Sequence, residues 1–220
     1  MVSISAQVHI LLRWCGSARK GRSEQDVVAF RRLRALVRTV MGVALGFGVS
    51  HPAAADAELW NALRTPGTVA LIRHAVAPGT GDPVHFTRGD CATQRNLSEA
   101  GRSQAQTIGA RFRDNGIRTA HVYSSQWCRC LDTARLIDLG PVQELPLLNS
   151  FFSQPELGGK QTEALKVWLA KRSAPGPTVL VTHQVNITAL TGVFPAAGEI
   201  VVVRTTRAGT ISVVGTLKMP

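Results

Sequence analysis

From Thr68 to Leu217, short continuous apolar runs alternate with longer stretches in which apolar positions recur every three or four residues. Thr68-Val-Ala-Leu-Ile-Arg73 is rich in β-formers, is bounded by Pro66-Gly67 and reads as a buried strand. Ser98 stands where it can cap a helix reaching about Asn115, with Ala105, Ile108 and Phe112 on one face and Gly116 as its stop. A second, short strand is predicted over residues 120–124. Trp127, Leu131 and Ala134 mark a second helix that ends at Gly140, and residues 142–148 read as an extended segment. Residues 162–171, with Leu165, Trp168 and Leu169, predict a third helix; after Pro175-Gly-Pro177 comes the strand Thr178-Val-Leu-Val-Thr182. A short helix over 186–191 precedes two final strands, 199–205 and 210–217, which turn at Ala208-Gly209. This order predicts an α/β fold: a three-layer α/β/α sandwich around a mainly parallel sheet, with helices on both faces.

The first 57 residues follow a different pattern. Arg31, Arg32, Arg34 and Arg38 precede an apolar stretch over 40–49, and then comes His51-Pro-Ala-Ala-Ala-Asp-Ala57. A charged region, a short apolar region and an A-x-A site in that order predict a secretory signal, with cleavage at Ala53-Ala-Ala55 or Ala55-Asp-Ala57. The other reading is a buried amphipathic helix, but Gly42, Gly46 and Gly48 weaken a core helix and are tolerated in a signal. The chain therefore divides into an N-terminal extension with a signal peptide, 1–57, and one folded domain, 58–220. The expected location is the periplasm or the cell exterior.

Charge and cysteine content narrow the possible partners. The formal charge is +11. Residues 1–57 carry eight Lys or Arg and three Asp or Glu; residues 58–220 carry seventeen and eleven. That moderate excess suits an anionic small molecule, and no basic stripe interleaved with aromatics points to nucleic acid. No apolar run reaches the roughly 18 residues of a membrane-spanning helix. Export permits disulfides, and Cys91, Cys128 and Cys130 fall in the mature part, so one pair and one free thiol are expected, without an indication of which.

In open α/β sheets ligands bind beyond the carboxyl ends of the strands. One predicted strand ends in Arg73-His74, the next in Ser124-Ser125 with Arg129 a few residues on, and the fourth in Thr182-His183. Two histidines and two arginines should thus meet in one crevice. Guanidinium forks grip a phosphate monoester bidentately, and imidazole is the side chain best suited to attack phosphorus as a neutral nucleophile at physiological pH. The resulting phosphohistidine can be hydrolysed by water. Two arginines and a second, protonated histidine would stabilise the charge on the equatorial oxygens, a scheme that requires no metal or other cofactor.

Four ordered motifs carry a resemblance. Leu71-Ile-Arg-His-Ala75, Leu97-Ser-Glu-Ala-Gly-Arg-Ser-Gln-Ala105, Tyr123-Ser-Ser-Gln-Trp-Cys-Arg-Cys-Leu-Asp-Thr-Ala134 and Val181-Thr-His183 resemble the histidine phosphatase, or phosphoglycerate-mutase-like, superfamily over about residues 68–190. The resemblance implies His74 as nucleophile, Arg73 and Arg129 as phosphate ligands and His183 as the second pocket histidine. Ala75 replaces the family's usual glycine, which is tolerable where φ is negative. Ser150 stands at about the place where many members carry a catalytic glutamate, and serine cannot protonate a leaving alkoxide. Without proton donation the site would favour leaving groups that need little help: phosphohistidine, acyl phosphates or phosphoanhydrides. Otherwise another acid serves, with Asp90 the favoured candidate, Asp82 behind it, and Glu144 or Glu156 further back. Arg95, in the polar stretch 88–95, is placed to meet a second anionic group of the substrate.

Competing constellations are weaker. The arginines beside His74, His183 and Asp90 would repel a cation from a two-histidine-one-carboxylate site. Ser124-Ser125 lacks a nucleophile elbow, and Cys128-Arg-Cys130 is not a redox C-x-x-C. His85 and His121 read as structural or surface residues, and Trp60, Trp127 and Trp168 as packing. The sequence thus predicts an exported phosphatase acting on a phosphorylated small molecule or cell-envelope component. The alternatives are a non-catalytic phospho-ligand binder of the same fold, or an intracellular phosphohistidine phosphatase.

Overall fold

The computed structural model describes residues 52–172 and 175–219. The arginines and apolar tract on which the export signal rests lie outside them. The first described element is one the pattern does not announce: helix α1 (Pro52–Ala62) runs through the small-residue tract read as a cleavage site. Alanine is the best helix former, so a composition that suits a signal peptidase also suits a helix. Further along α1, Leu59 and Trp60 enter the core, as does Leu63 just beyond it, and Trp60 meets Phe112 edge-on at 5.0 Å.

The remaining elements follow the predicted order. They are β1 (Thr68–Arg73), α2 (Glu99–Asp114), β2 (His121–Ser124), α3 (Cys128–Ile137), β3 (Val142–Glu144), α4 (Gly158–Lys171), β4 (Thr178–Thr182), α5 (Gln184–Thr191), β5 (Ile200–Thr205) and β6 (Ile211–Leu217). Ser98 caps α2 by accepting from the Gly101 N–H, and Asn115 closes it. The segment after β3 is shorter in extension than expected, because Pro146 turns it into a 3₁₀ helix, Pro146–Leu148. Helix α4 starts at Gly158, ahead of the predicted Thr162.

The six strands lie in the order β3-β2-β4-β1-β5-β6. Strands β3, β2, β4 and β1 pair in parallel, while β5 and β6 add an antiparallel hairpin to the far edge. Alternation along each strand divides the core. Ala70, Ile72, Val122, Val179 and Val181 face one side under α1, α2 and α3; Val69, Leu71 and Leu180 face the other under α4 and α5. Among the described residues no helix is long and apolar enough to cross a membrane.

Two glycines set how closely α2 packs. A Cβ on Gly101 would lie 2.0 Å from the Val76 carbonyl oxygen, and one on Gly109 would lie 2.0 Å from that of Ile137. Gly101 thereby lets α2 press on the backbone that leaves β1, where Ser98 N–H donates to Val76 O.

Candidate active site

The two apolar runs that end in histidine, 69–74 and 178–183, lie side by side in register. In the parallel pair β1–β4, Val69 faces Thr178 and Arg73 faces Thr182, so His74 and His183 leave the sheet side by side. The His74 N–H donates to Thr182 O at 2.9 Å, and the imidazole rings stand 5.5 Å apart at 67°. Both open onto a cavity of about 290 Å³ that Arg73, Arg95, Arg129 and Asp82 also line.

His74 is held in one tautomer. Its Nδ1 lies 2.8 Å from the Ala75 carbonyl, which only accepts, so Nδ1 carries the proton and Nε2 carries the lone pair. Ala75 has negative φ, and its N–H donates to Thr133 Oγ1, whose hydroxyl donates in turn to Arg129 O. The methyl group in place of glycine is therefore accommodated without backbone strain.

His183 is fixed through a longer chain. Arg129 Nη2 lies 3.5 Å from His183 Nδ1 and can only donate, which puts the ring proton on Nε2. That nitrogen is 2.9 Å from Ser125 Oγ, whose hydroxyl donates to Asn149 Oδ1 at 3.2 Å. Asn149 is oriented by the Gln126 N–H on its oxygen and by Gln126 Oε1 on its amide nitrogen.

The electrostatics are those of a cationic site around two buried histidines. Burial, followed by Arg129, Arg73 and Arg95, pushes the His74 pKa down to about 3 against the raising effect of the Ala75 hydrogen bond. Burial, His74 and the same arginines hold His183 well below its ordinary value. Neutral imidazole is thus favoured at both positions, where the sequence reading expected a protonated His183; only a negative charge between the rings reverses that preference. Burial and Arg129 also lower Arg73 and Arg95. Arg73 Nε and Arg129 Nε are buried donors with no hydrogen-bond partner. Three crowded guanidiniums and two orphaned N–H groups describe a site shaped for an oxyanion.

The acid candidates separate. Asp90, the favoured one, is exposed, caps the 3₁₀ helix Cys91–Thr93 through the Ala92 N–H and does not line the cavity. Its carboxylate is engaged by the local turn instead. Among the described residues, Asp82 is the only acid on the cavity wall, with Oδ1 2.6 Å from Arg129 Nη1 and Oδ2 accepting from Trp127 Nε1 at 2.9 Å. Glu144 accepts from Gln126 Nε2 and Glu156 lies in the exposed 3₁₀ helix Pro155–Leu157, neither lining the cavity. Ser150 does line it.

Arg95 is in the cavity wall, held by the carbonyls of Gly81 and Ala77. Cys91 pairs with Cys128, and Cys130 is a buried free thiol pushed up to about 12 by desolvation. Trp127, expected only to pack, also holds Asp82 and meets the His183 ring edge-on at 5.4 Å. Trp60 and Trp168 pack as expected, Trp168 against Tyr123; His121 bonds Pro175 O, and His85 is exposed. Ser125 and Asn149 were missed as positioning groups: Ser125 was visible at a strand end, while Asn149 has no local signal.

Residues 69–163 match the family model of the histidine phosphatase superfamily, branch 1. That stretch carries the superfamily's sequence pattern. Solved structures similar to this chain include an Entamoeba histolytica phosphoserine phosphatase in complex with 3-phosphoglyceric acid, at 16% identity and TM-score 0.51, covering 69% of this chain and 96% of that one. A second is described as a putative alpha-ribazole-5'-P phosphatase from Escherichia coli, at 18% identity and TM-score 0.51, covering 68% and 95%. A third is mycobacterial hydrolase 1, at 14% identity and TM-score 0.50, covering 69% and 95%. At these identities the likeness bears on fold alone. No curated protein matches the sequence.

Proposed function

We propose that the protein is a phosphatase that hydrolyses a phosphorylated small molecule or envelope component through a phosphohistidine on His74. The observation that carries this reading is the meeting of a lone-pair Nε2 on His74 with His183, Arg73 and Arg129 around one cavity. The His74 lone pair forms the N–P bond as the P–O bond to the leaving group breaks, and the electron pair departs on that oxygen. Arg73 and Arg129, with their orphaned Nε–H groups, hold the equatorial oxygens. Water then attacks phosphorus, breaks the N–P bond, gives its proton to the released imidazole or to solvent, and leaves inorganic phosphate.

Asp82 is committed to Arg129 and Trp127, and Ser150 cannot donate a proton effectively. The reaction is therefore suited to leaving groups that depart as anions, such as a carboxylate from an acyl phosphate. No step of this scheme uses a metal. The Cys91–Cys128 bridge supports export to an oxidising compartment, since such bonds persist there; N-terminal sequencing of the native protein tests it.

Acetyl phosphate and p-nitrophenyl phosphate, assayed with and without EDTA beside His74→Ala, test the activity. Turnover that EDTA leaves unchanged and His74→Ala abolishes is the expected result, with an acid-labile phosphoryl label trapped on the wild type. Tight vanadate binding without turnover would instead make the protein a phospho-ligand binder.

A further inference from the structure

Of the phenylalanines among the described residues, Phe112 and Phe151 are buried and Phe86 stacks on Trp127 at 5.0 Å. Only Phe152 and Phe194 are exposed, at 52% and 72%, and both line the phosphate cavity. Two aromatic rings left in water cost stability that burial elsewhere would regain, and here they rim a pocket whose interior is cationic.

Neither ring is placed there by chance of a free loop. Phe194 precedes Pro195, whose carbonyl accepts from Arg73 Nη1 at 2.9 Å, so its backbone is tied to a phosphate arginine. It follows Val193, which packs partly buried against the core. Phe152 is held outward by its neighbour: the Phe151 ring fills the space beside Gly158, where a Cβ would lie 2.9 Å from Cε2. The Phe152 N–H also donates to Ser150 Oγ, and its ring edge faces Gly81, next to Asp82. Both rings therefore stand on backbone that is tied to the cavity wall, on the rim of the pocket that holds the arginines. Among the described residues the one carboxylate lining the cavity, that of Asp82, is paired with Arg129 and offers no free charge to a cationic leaving group.

From this placement, and resting on the phosphatase reading above, we infer that the substrate's leaving group carries a flat aromatic ring, which Phe152 and Phe194 take up by stacking or edge contact while the arginines hold the phosphoryl end. Aromatic contacts of this kind favour a ring-bearing ligand by about threefold to tenfold each beyond simple burial.

The test separates this inference from the activity itself. Benzoyl phosphate and acetyl phosphate release carboxylates of similar basicity and differ in the ring; benzylphosphonate and methylphosphonate form the corresponding pair that is not hydrolysed. Wild-type protein is expected to favour benzoyl phosphate in kcat/KM, and benzylphosphonate in Kd by calorimetry, by about tenfold or more. In Phe152→Ala and Phe194→Ala, whose folding is checked by thermal melting, each preference should fall about threefold to tenfold. Turnover of both acyl phosphates with no preference, or a preference both variants retain, overturns the inference and leaves the phosphatase standing. Absence of turnover overturns the phosphatase, and the phosphonate pair then decides the aromatic rim alone: equal affinities refute it.

Discussion

The cavity has two walls built by different means. One is made where strands end: His74 and His183 leave neighbouring parallel strands in fixed register, and hydrogen bonds assign the tautomer of each ring. The other is the loop over residues 77–95, whose regular structure is a single 3₁₀ turn. That loop is tethered to the start of α3 by the Cys91–Cys128 bridge, by Asp82 on Arg129, and by Gln94 Oε1, which accepts from the Cys128 N–H. The core positions the two histidines, whereas a crosslink and an ion pair position the loop residues that line the rest of the cavity. Site precision in the first wall follows from packing; in the second it depends on three tethers that converge on two adjacent residues.

Arg129 belongs to both walls, being 3% exposed, paired with Asp82 and bonded to His183. Arg129→Ala is therefore expected to have the largest effect. Removing one donor to the transition-state oxygens lowers kcat by about 10² to 10³, and the loss of its partner also strands the Asp82 carboxylate. Steady-state kinetics on acetyl phosphate measure this. A variant within tenfold of wild type would detach Arg129 from the chemistry and leave it as a tether.

Cutting the disulfide isolates the loop wall. Replacing both Cys91 and Cys128 by serine opens a 37-residue separation. Chain-closure entropy then predicts a stability loss of about 3 to 4 kcal/mol, measurable in urea. Because the strand-end wall keeps its geometry, KM should rise several-fold while kcat changes less. An equal fall in kcat would mean the bridge also sets the reacting groups.

The strand-end wall carries the pH signature. His74 titrates at about 3 in the fold against 6.5 in an unfolded chain, and His183 shifts in the same direction. Between those values the unfolded state binds more protons, so stability is greatest above pH 6.5 and is lost as pH falls towards 3. Each histidine contributes at most about 1.4 kcal/mol per pH unit in that window. Thermal melts from pH 7.5 to 5 should show the midpoint falling, and His74→Gln should flatten the slope. Protonation of His74 should not shape the acid limb of kcat/KM above pH 5.

This division also explains what could be read from the sequence. Strand-end groups announce themselves, because an apolar run of four or five residues followed by a polar pair has a defined exit point; Arg73, His74 and His183 were legible for that reason. Arg129 followed from the start of the next helix. The loop wall was opaque, since no periodicity orders residues 77–95 and three cysteines allow three pairings. Asp90 was preferred to Asp82 on position alone, yet a carboxyl beside a 3₁₀ turn finds the turn's own N–H first. Helix α1 was missed because alanine-rich sequence serves two ends. Asn149 reaches His183 only through Ser125, a relation that exists in space and not along the chain.

The smallest effects come from the two aspartates, and their contrast decides how the loop wall serves catalysis. Asp82 accepts from Arg129 at 2.6 Å and from the Trp127 indole, so Asp82→Asn keeps one neutral hydrogen bond and loses the charge that steadies a buried guanidinium. A fall of about tenfold in kcat/KM is expected, similar for acetyl phosphate and for an alkyl phosphate such as glycerol phosphate, because an aligning residue serves any leaving group alike. A general acid behaves differently, since its loss costs the poor leaving group about a hundredfold to ten-thousandfold and the acyl phosphate little. Asp90→Asn, which alters only a surface turn, should change either rate less than about twofold. If Asp90→Asn instead suppressed the alkyl phosphate selectively, the loop would have to swing that carboxyl into the cavity during turnover, and the tethers to α3 would be a hinge and not a clamp.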